Sequence, residues 1–219
     1  MEAKAVVSNQ AGLNEKLDEV VSRHLRHTFK KPYAEHSLAA FAELEQWLAK
    51  HSAKPLVLDS CCGVGESTAV LAQRHPEAVV VGVDKSAHRL GKHAHYASAQ
   101  DNYLVLRADL NDLWRLLVEH GLKPSHHYLL YPNPWPKAAH LGRRWHGGPS
   151  FAALLALGGQ LEVRSNWQLY VLEFARALQL AGIESQQAEV TLAPITPFER
   201  KYMQAGQPCW QLKADLNLA

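Results

Sequence analysis

The spacing of apolar positions separates two helices near the start of the chain from a longer alternation of strands and helices. Apolar residues recur at helical spacing over 14–29 and 36–52, which predicts two amphipathic helices. Five short apolar runs follow at 55–59, 78–84, 103–107, 127–131 and 160–165, with helical stretches between them at 66–75, 86–98, 110–121, 149–157 and 167–182. Strands that alternate with helices predict a parallel sheet with right-handed crossovers.

Two more strand candidates lie near the end of the chain, at 187–193 and 208–215, with no predicted helix between them. Consecutive strands without a crossover helix favour an antiparallel pair at one edge of the sheet. The predicted fold class is therefore α/β, with a doubly wound, mostly parallel, Rossmann-like sheet of seven strands that has an antiparallel edge strand. We predict two parts, a basic helical extension over 1–35 and the α/β domain over 36–219.

Composition narrows the class of protein. Apolar residues make up 47% of the 219 residues and charged residues 20%, which excludes a wholly disordered chain. No apolar run reaches the ~18 residues of a membrane span, and the first residues lack the apolar stretch of a signal peptide. The three cysteines, two of them adjacent, form no disulfide framework, so we expect a cytoplasmic protein without membrane contact. The thirteen histidines have no cysteine partners at zinc spacing, and we predict no metal.

The turn after the first predicted strand has the features of a nucleotide-binding loop. Gly63 and Gly65 allow a tight turn and close approach of a ligand to the backbone. Asp84 follows Gly63 by 21 residues, the spacing at which an acid reaches a ribose hydroxyl. Three successive strands end in an acid, namely Asp59, Asp84 and Asp109, so we predict that these acids and the two glycines bind a nucleoside cofactor.

The charges around this turn favour one cofactor over another. The third glycine of the dinucleotide motif is replaced by Thr68, and the carboxylates of Asp59 and Glu66 would repel a pyrophosphate. The same carboxylates suit a ligand that carries an ammonium and a sulfonium group, such as S-adenosylmethionine. A nicotinamide or flavin dinucleotide, or a turn that the glycines shape without any ligand, is the less favoured interpretation.

A proline-rich segment follows the fourth predicted strand. Residues 131–137 read Tyr-Pro-Asn-Pro-Trp-Pro-Lys, and Arg143 and Arg144 come shortly after. Three prolines in five residues restrict the backbone and remove hydrogen-bond donors. A stiff turn with an amide, a tryptophan and nearby cations predicts a site that contacts a nucleobase and its phosphates. Because the net charge is only +2, any RNA contact must depend on such a local patch.

Taken together, these motifs resemble those of the bacterial tRNA (guanine-N7-)-methyltransferases. That family carries a P-D-P-W-x-K turn, an Arg-Arg pair, a strand that ends in T-D-W and a late T-x-F-E segment. The corresponding stretches here are 132–137, 143–144, 165–167 and 196–199, in the same order along the chain. The resemblance implies a class I methyltransferase sheet, S-adenosylmethionine as cofactor and tRNA as substrate.

The resemblance also implies roles for individual positions. Asp59, Asp84 and Asp109 would hold the cofactor, and Asn133 would lie at the point of methyl transfer, in contact with cofactor and substrate. The substrate contacts would come from Lys137, Arg143, Arg144, Asn166, Thr196, Phe198 and Glu199. The chain departs from the family pattern at two positions, because Asn133 and Asn166 stand where the family has aspartates.

These departures keep two alternatives open. An asparagine beside a proline and an aromatic residue resembles the turns of enzymes that methylate amino nitrogens, such as adenine N6 or guanine N2. The loss of two carboxylates is also typical of a catalytically lapsed protein that still binds S-adenosylmethionine and RNA. The sequence does not decide between a monomer and a small homo-oligomer.

Overall fold

The computed structural model describes residues 5–218, which form a seven-stranded sheet and its packed helices. The strands are β1 (Leu56–Ser60), β2 (Val79–Asp84), β3 (Tyr103–Arg107), β4 (His126–Leu130), β5 (Gln160–Ser165), β6 (Ser185–Glu189) and β7 (Trp210–Asp215). The helices are α1 (Leu17–Arg26), α2 (Glu35–Ala49), α3 (Glu66–Arg74), α4 (Ala87–Leu90), α5 (Leu110–Glu119), α6 (Phe151–Ala156), α7 (Gln168–Leu180) and α8 (Pro197–Gln204).

The strand order is β3-β2-β1-β4-β5-β7-β6. The first five strands pair in parallel, whereas β7 runs antiparallel to both β5 and β6. The predicted α/β class and the antiparallel pair at one edge are therefore confirmed. The strand order reverses between β1 and β4, and ligands of open α/β sheets bind at this switch point, outside the carboxyl ends of the strands.

Both faces of the sheet are packed. Leu58 on β1 belongs to the larger core, whereas its neighbour Val57 belongs to a second core with Leu71 of α3. Adjacent residues of a strand point to opposite faces, so helices cover the sheet on each side. Leu17 and Val21 of α1 lie in the larger core, and α1 packs against α7. The division of the chain at residue 35 stays a prediction, and residues 1–4 and 219 lie outside the described residues.

Three predicted stretches differ from the structure. The stretch 86–98 forms only the short helix α4 and a 3-10 turn over His93–His95, because its exposed, polar residues after Gly91 offer no apolar face to pack. The segment between the last two strands, predicted without a helix, contains α8. Thr196 caps this helix by accepting a hydrogen bond from the Glu199 N–H at 3.0 Å, and Pro197 occupies its first turn. The sixth strand spans Ser185–Glu189 rather than 187–193.

Candidate active site

A cavity of about 440 Å³ lies at the carboxyl ends of the central strands. This volume is within the range of small-molecule sites, roughly 300–1,000 Å³. The predicted site residues that line the cavity are Asp84, Asp109, Asn133, Arg143, Arg144 and Phe198. The others, which lie behind or beside its wall, are Asp59, Gly63, Gly65, Lys137, Asn166, Thr196 and Glu199. The cavity therefore brings together the ends of β2 and β3 and the proline turn (residues 131–137), as the sequence predicts.

The carboxylate of Asp84 connects the glycine turn to the end of β2. Its Oδ2 accepts a hydrogen bond from the Gly63 N–H at 3.1 Å, and its Oδ1 accepts one from the Ser86 N–H at 2.7 Å. Arg89 forms an ion pair with the same Oδ1 at 3.0 Å. Asp84 is thus held rigidly at the cavity wall. A ligand hydroxyl that donates to this carboxylate would be its fourth partner, after Gly63, Ser86 and Arg89.

Asp59 lies fully buried behind the glycine turn. Its Oδ2 accepts hydrogen bonds from the hydroxyls of Ser67 and Thr68, both at 2.7 Å, whereas no described residue donates to its Oδ1. Burial raises the pKa of Asp59 to about 6, and the two hydroxyls only partly oppose that shift. Asp59 therefore fixes the first turn of α3 and lacks a positive partner.

The two predicted glycines both adopt left-handed conformations. Gly63 has φ +62°, and a Cβ at this position would meet no atom within 4 Å, so the space above it is open. Gly65 has φ +77°, and a Cβ there would come within 2.4 Å of His93 Nδ1. A side chain at either position would strain the backbone, and at Gly65 it would also collide with the ring of His93.

Asp109 caps α5 at the cavity wall. Its Oδ1 accepts hydrogen bonds from the backbone N–H and the side-chain amide of Asn111, each at 2.9 Å. Asn111 in turn accepts a hydrogen bond from the Ser150 hydroxyl at 2.6 Å. The half-buried Asp109 thus combines a cap with a carboxylate that faces the cavity.

Strained backbone is concentrated at this cavity. Among the described residues, the non-glycine residues with positive φ are Cys61 (+64°), Tyr131 (+51°) and Trp135 (+45°), and all three line the cavity. Left-handed backbone at a non-glycine residue costs on the order of 1–3 kcal/mol and persists only where the surroundings enforce it. Such strain is typical of functional sites, and here it marks both ends of the proline turn.

The exposed side of the proline turn presents an amide and a stacked pair of side chains. Asn133 Oδ1 accepts a hydrogen bond from the Trp135 N–H at 3.2 Å, an Asx-type turn. The Arg143 guanidinium lies 4.8 Å from the centre of the Trp135 ring. Lys137 is exposed beside them. This surface offers amide and cationic donors around an indole ring.

Arg144 differs from its neighbour Arg143, and its predicted contact with substrate phosphate needs correction. Its side chain is fully buried and forms an ion pair with the equally buried Glu173. It also donates to the carbonyl oxygens of Trp135, at 3.2 and 3.1 Å, and Lys137, at 3.2 Å. A buried guanidinium with these partners has no surface for a phosphate, so Arg144 holds the proline turn from behind.

The segment 196–199 contributes one side chain to the cavity. Glu199 is fully buried and accepts hydrogen bonds from Arg164 at 2.8 Å, the Tyr131 hydroxyl at 2.9 Å and the Ile195 N–H at 2.8 Å. It is therefore not placed to contact a guanine edge, contrary to the prediction, and Thr196 serves as a helix cap. Phe198 alone extends to the mouth of the cavity, with 44% of its surface exposed.

Asn166 follows the end of β5 and does not reach the cavity. It is half-buried, and its Nδ2 has no hydrogen-bond partner among the described residues. Its predicted role in substrate binding stays a prediction.

Sequence reasoning missed several residues that build the site. Glu173 is a charged residue on the buried side of α7 beside Tyr170 and Phe174, a signal that a helical projection of 168–180 could have revealed. Arg164 is also buried and forms ion pairs with Glu162 and Glu199. Residues 5–218 contain no group of three or more histidine, cysteine, aspartate or glutamate side chains that could hold a metal ion. They also contain no helix with the length and hydropathy of a membrane span.

The cofactor side of the cavity suits a cationic nucleoside. Asp84 and Asp109 provide carboxylate acceptors at the wall, and the backbone at Gly63 leaves open space. The unpartnered Oδ1 of Asp59 supplies buried negative charge close behind. These residues fit S-adenosylmethionine, whose ribose hydroxyls and adenine amino group are donors and whose sulfonium and ammonium groups are positive.

The comparisons with known proteins identify the family. Residues 53–212 match the model of a family described as "Putative methyltransferase". The tRNA (guanine-N(7)-)-methyltransferase of Burkholderia ambifaria is 29% identical to this chain over 198 residues, which cover 84% of this chain and 73% of that protein. The protein of the same name from Treponema pallidum is 29% identical over 167 residues, which cover 72% of this chain and 66% of that protein.

Solved structures of RNA methyltransferases share the fold. The 16S rRNA methyltransferase KamB has a TM-score of 0.56 at 18% identity, over 84% of this chain and 95% of that chain. A variant of the 16S rRNA (adenine(1408)-N(1))-methyltransferase of Catenulisporales acidiphilia has a TM-score of 0.53 at 16% identity, over 78% of this chain and 90% of that chain. Since the family model spans well over half of the residues, the chain belongs to this family of methyltransferases, as the resemblance of its motifs predicts.

Proposed function

We propose that this chain transfers a methyl group from S-adenosylmethionine to N7 of a guanine in tRNA. The single observation that carries the proposal is the meeting of two features in one cavity. These are the acids Asp84 and Asp109, at the carboxyl ends of β2 and β3, and the proline turn with Asn133 and Trp135. Curated relatives that align with 72–84% of the chain are named tRNA (guanine-N(7)-)-methyltransferases. Their substrate and reaction are consistent with this geometry.

The chemistry makes modest demands on the protein. When bound, S-adenosylmethionine supplies a methyl group on a positively charged sulfur. Guanine N7 carries a free lone pair, so no base has to remove a proton before transfer. The protein therefore acts mainly by placing the acceptor nitrogen in line with the methyl group, and a rigid turn is well suited to that task.

The orientation of Asn133 favours guanine N7 over an amino nitrogen. Its Oδ1 accepts from the Trp135 N–H, and its amide NH₂ is a donor that is available to a base. An NH₂ donor matches the O6 acceptor beside guanine N7. An enzyme that methylates an amino nitrogen needs an acceptor at this place, and one of the two lone pairs of the Asn133 oxygen is already engaged by the Trp135 N–H.

The cations near the cavity fit an RNA substrate grasped by the catalytic domain itself. Lys31 and Arg143 line the cavity, and Lys137 is exposed beside it. Three phosphate contacts would give a slope of about −2 to −3 in a plot of log affinity against log salt. We propose tRNA as the partner and the cytoplasm as the site of action.

Nucleoside analysis tests the proposal. Purified protein is incubated with labelled S-adenosylmethionine and bulk tRNA that lacks 7-methylguanosine, and the nucleosides are identified by mass spectrometry. We expect label in 7-methylguanosine. Label in N6-methyladenosine or N2-methylguanosine would show methylation of an amino nitrogen instead.

A lapsed enzyme is the second candidate, because Asn133 and Asn166 replace family aspartates. The variant Asn133→Asp separates the two candidates. If the wild-type protein is inactive and the variant gains methyl transfer, the chain is a lapsed enzyme. Turnover by the wild-type protein excludes that interpretation.

A further inference from the structure

The backbone of residues 135–138 is held by side chains from distant parts of the chain. Prolines at 134 and 136 deprive this stretch of regular hydrogen-bond donors, and Trp135 has a positive φ. Arg144 holds two carbonyl oxygens of the stretch from behind. Further contacts come from a segment near the start of the chain, the N-terminal clasp (residues 8–14).

The N-terminal clasp forms hydrogen bonds with backbone groups of the proline turn and of the residue after it. The Ser8 hydroxyl donates to the Pro136 carbonyl at 2.7 Å, and the Ala138 N–H donates to Asn9 Oδ1 at 2.8 Å. Asn14 Nδ2 donates to the Ala138 carbonyl at 2.9 Å. A flexible segment would not satisfy three backbone groups within residues 136–138, so the clasp is a built part of the site.

Gln10 connects the clasp to the buried ion pair behind the turn. Its Oε1 accepts from the Arg144 guanidinium at 2.6 Å, and its Nε2 donates to Glu173 Oε1 at 2.9 Å. Gln10 is therefore the one described side chain of the clasp that contacts both partners of the pair. The Asn14 N–H donates to the same Glu173 oxygen at 2.9 Å.

The buried ion pair of Arg144 and Glu173 depends on its hydrogen bonds, because both of its charges are shielded from solvent. Burial raises the pKa of Glu173, but hydrogen bonds from His146 and Gln10 and the charge of Arg144 outweigh burial and bring it to about 2. The carboxylate is thus fully ionised at neutral pH, and a buried charge requires satisfied partners. Loss of Gln10 would remove one hydrogen-bond partner from Arg144 and one from Glu173, and would loosen the guanidinium that holds the turn.

We propose that Gln10 is a positioning residue for methyl transfer, and that the N-terminal clasp fixes the turn that carries Asn133 and Trp135 against the substrate. This inference rests on the proposed function. It adds residues 8–14, which lie outside the family match over 53–212, to the working parts of the site. Gln10 does not line the cavity and acts through Arg144.

The test compares Gln10→Ala and Gln10→Met with the control variant Gln187→Ala. Methionine keeps the length of the side chain and removes its hydrogen bonds. Gln187 is exposed on β6, and among the described residues its side chain donates hydrogen bonds to Ser185, two residues away. For each protein we measure kcat with tRNA, the KM for S-adenosylmethionine, the thermal midpoint and hydrogen exchange of the peptide over 131–144.

Positioning predicts a specific pattern in both Gln10 variants. We expect kcat to fall about tenfold and the KM for S-adenosylmethionine to change less than twofold. Hydrogen exchange should accelerate over 131–144 but not over 56–67. The control Gln187→Ala should behave like wild type in all these measurements. Unchanged exchange over 131–144, unchanged kcat, or an equal loss of cofactor binding would overturn the proposal. Wild-type protein that does not methylate tRNA would refute the proposed function separately, and the exchange result would still decide whether Gln10 holds the turn.

Discussion

The two sides of the cavity are built by contacts between residues at very different separations along the sequence. On the cofactor side, Asp84 binds the N–H of Gly63, 21 residues away, and Asp59 binds hydroxyls 8 and 9 residues away. On the substrate side, Gln10 reaches across 134 residues to Arg144 and 163 residues to Glu173. The cofactor side therefore forms with each strand-to-helix turn, whereas the substrate side requires the complete tertiary structure.

The two sides also use buried charge differently. Asp59 is buried and has no positive partner within residues 5–218, which disfavours its ionised form. The proline turn instead lies between two buried ion pairs, Arg164–Glu199 near Tyr131 and Arg144–Glu173 behind Trp135. On the cofactor side, the unpaired carboxylate is therefore available to a positively charged ligand. On the substrate side, the buried ion pairs hold the strained turn.

The largest expected effect comes from removing Arg144. The variant Arg144→Ala leaves Glu173 buried without its main counter-charge. We therefore expect the free energy of unfolding to fall by about 3–5 kcal/mol. We also expect methyl transfer to be lost. Urea denaturation at pH 7.5 measures the change. The double variant Arg144→Met with Glu173→Met should recover most of the stability but not the activity. A single variant as stable as wild type would contradict the proposed role of the pair.

The next effect concerns Asp59 and pH. Burial raises the pKa of Asp59 from its usual 3.8 to about 6, so folding favours the protonated form of this carboxyl group. Stability should therefore fall as pH rises from about 4 to 6, by about 3 kcal/mol in total from this group. Asp59→Asn, whose amide oxygen can still accept from Ser67 and Thr68, should be more stable than wild type at pH 7.5. Its affinity for S-adenosylmethionine should be lower.

Chemical denaturation between pH 4 and 8 and calorimetric titration with the cofactor test this pair of expectations. Parallel stability curves for wild type and Asp59→Asn would contradict the ionisation argument. Unchanged cofactor affinity would show that Asp59 serves the turn of α3 alone.

A smaller effect is expected at the start of the proline turn. Tyr131→Phe removes the hydroxyl that donates to Glu199, an ionised acceptor, and should lower stability by about 2 kcal/mol. The remaining contact with Arg164 limits the loss. If the strain at Tyr131 depends on this contact, kcat should also fall while the cofactor KM stays constant, as steady-state kinetics would show.

The smallest effect on stability is expected at the exposed Arg143. Arg143→Ala should change the free energy of unfolding by less than about 0.5 kcal/mol. If Arg143 contacts a phosphate, tRNA affinity should fall and the slope of log affinity against log salt should become shallower by about 1. Filter binding over a salt series measures both. An unchanged slope would remove Arg143 from the RNA contacts and leave the contrast with Arg144 purely structural.

The range of contacts explains what the sequence could predict. The five parallel strands, the glycine turn and the acids Asp84 and Asp109 are local patterns, and the structure agrees with them. Helix α8 was missed although Thr196, Pro197 and Glu199 form a helix-start signal. Its short, polar sequence lacks a clear apolar periodicity.

The contacts on the substrate side of the cavity could not be predicted from sequence patterns. Arg143 and Arg144 are identical neighbours in the sequence, yet one is exposed and the other fully buried. Their difference depends on Glu173 and Gln10, whose proximity results from tertiary packing. The same applies to Glu199, which the motif placed at the substrate and the structure pairs with Arg164.

The most direct test of the account uses a tRNA transcript made with 7-deazaguanosine, which lacks the N7 atom and keeps every amino group. Wild-type protein and labelled S-adenosylmethionine are incubated with this transcript and with the ordinary one. We predict labelling of the ordinary transcript and none of the 7-deaza transcript. Equal labelling of both would contradict methyl transfer to guanine N7.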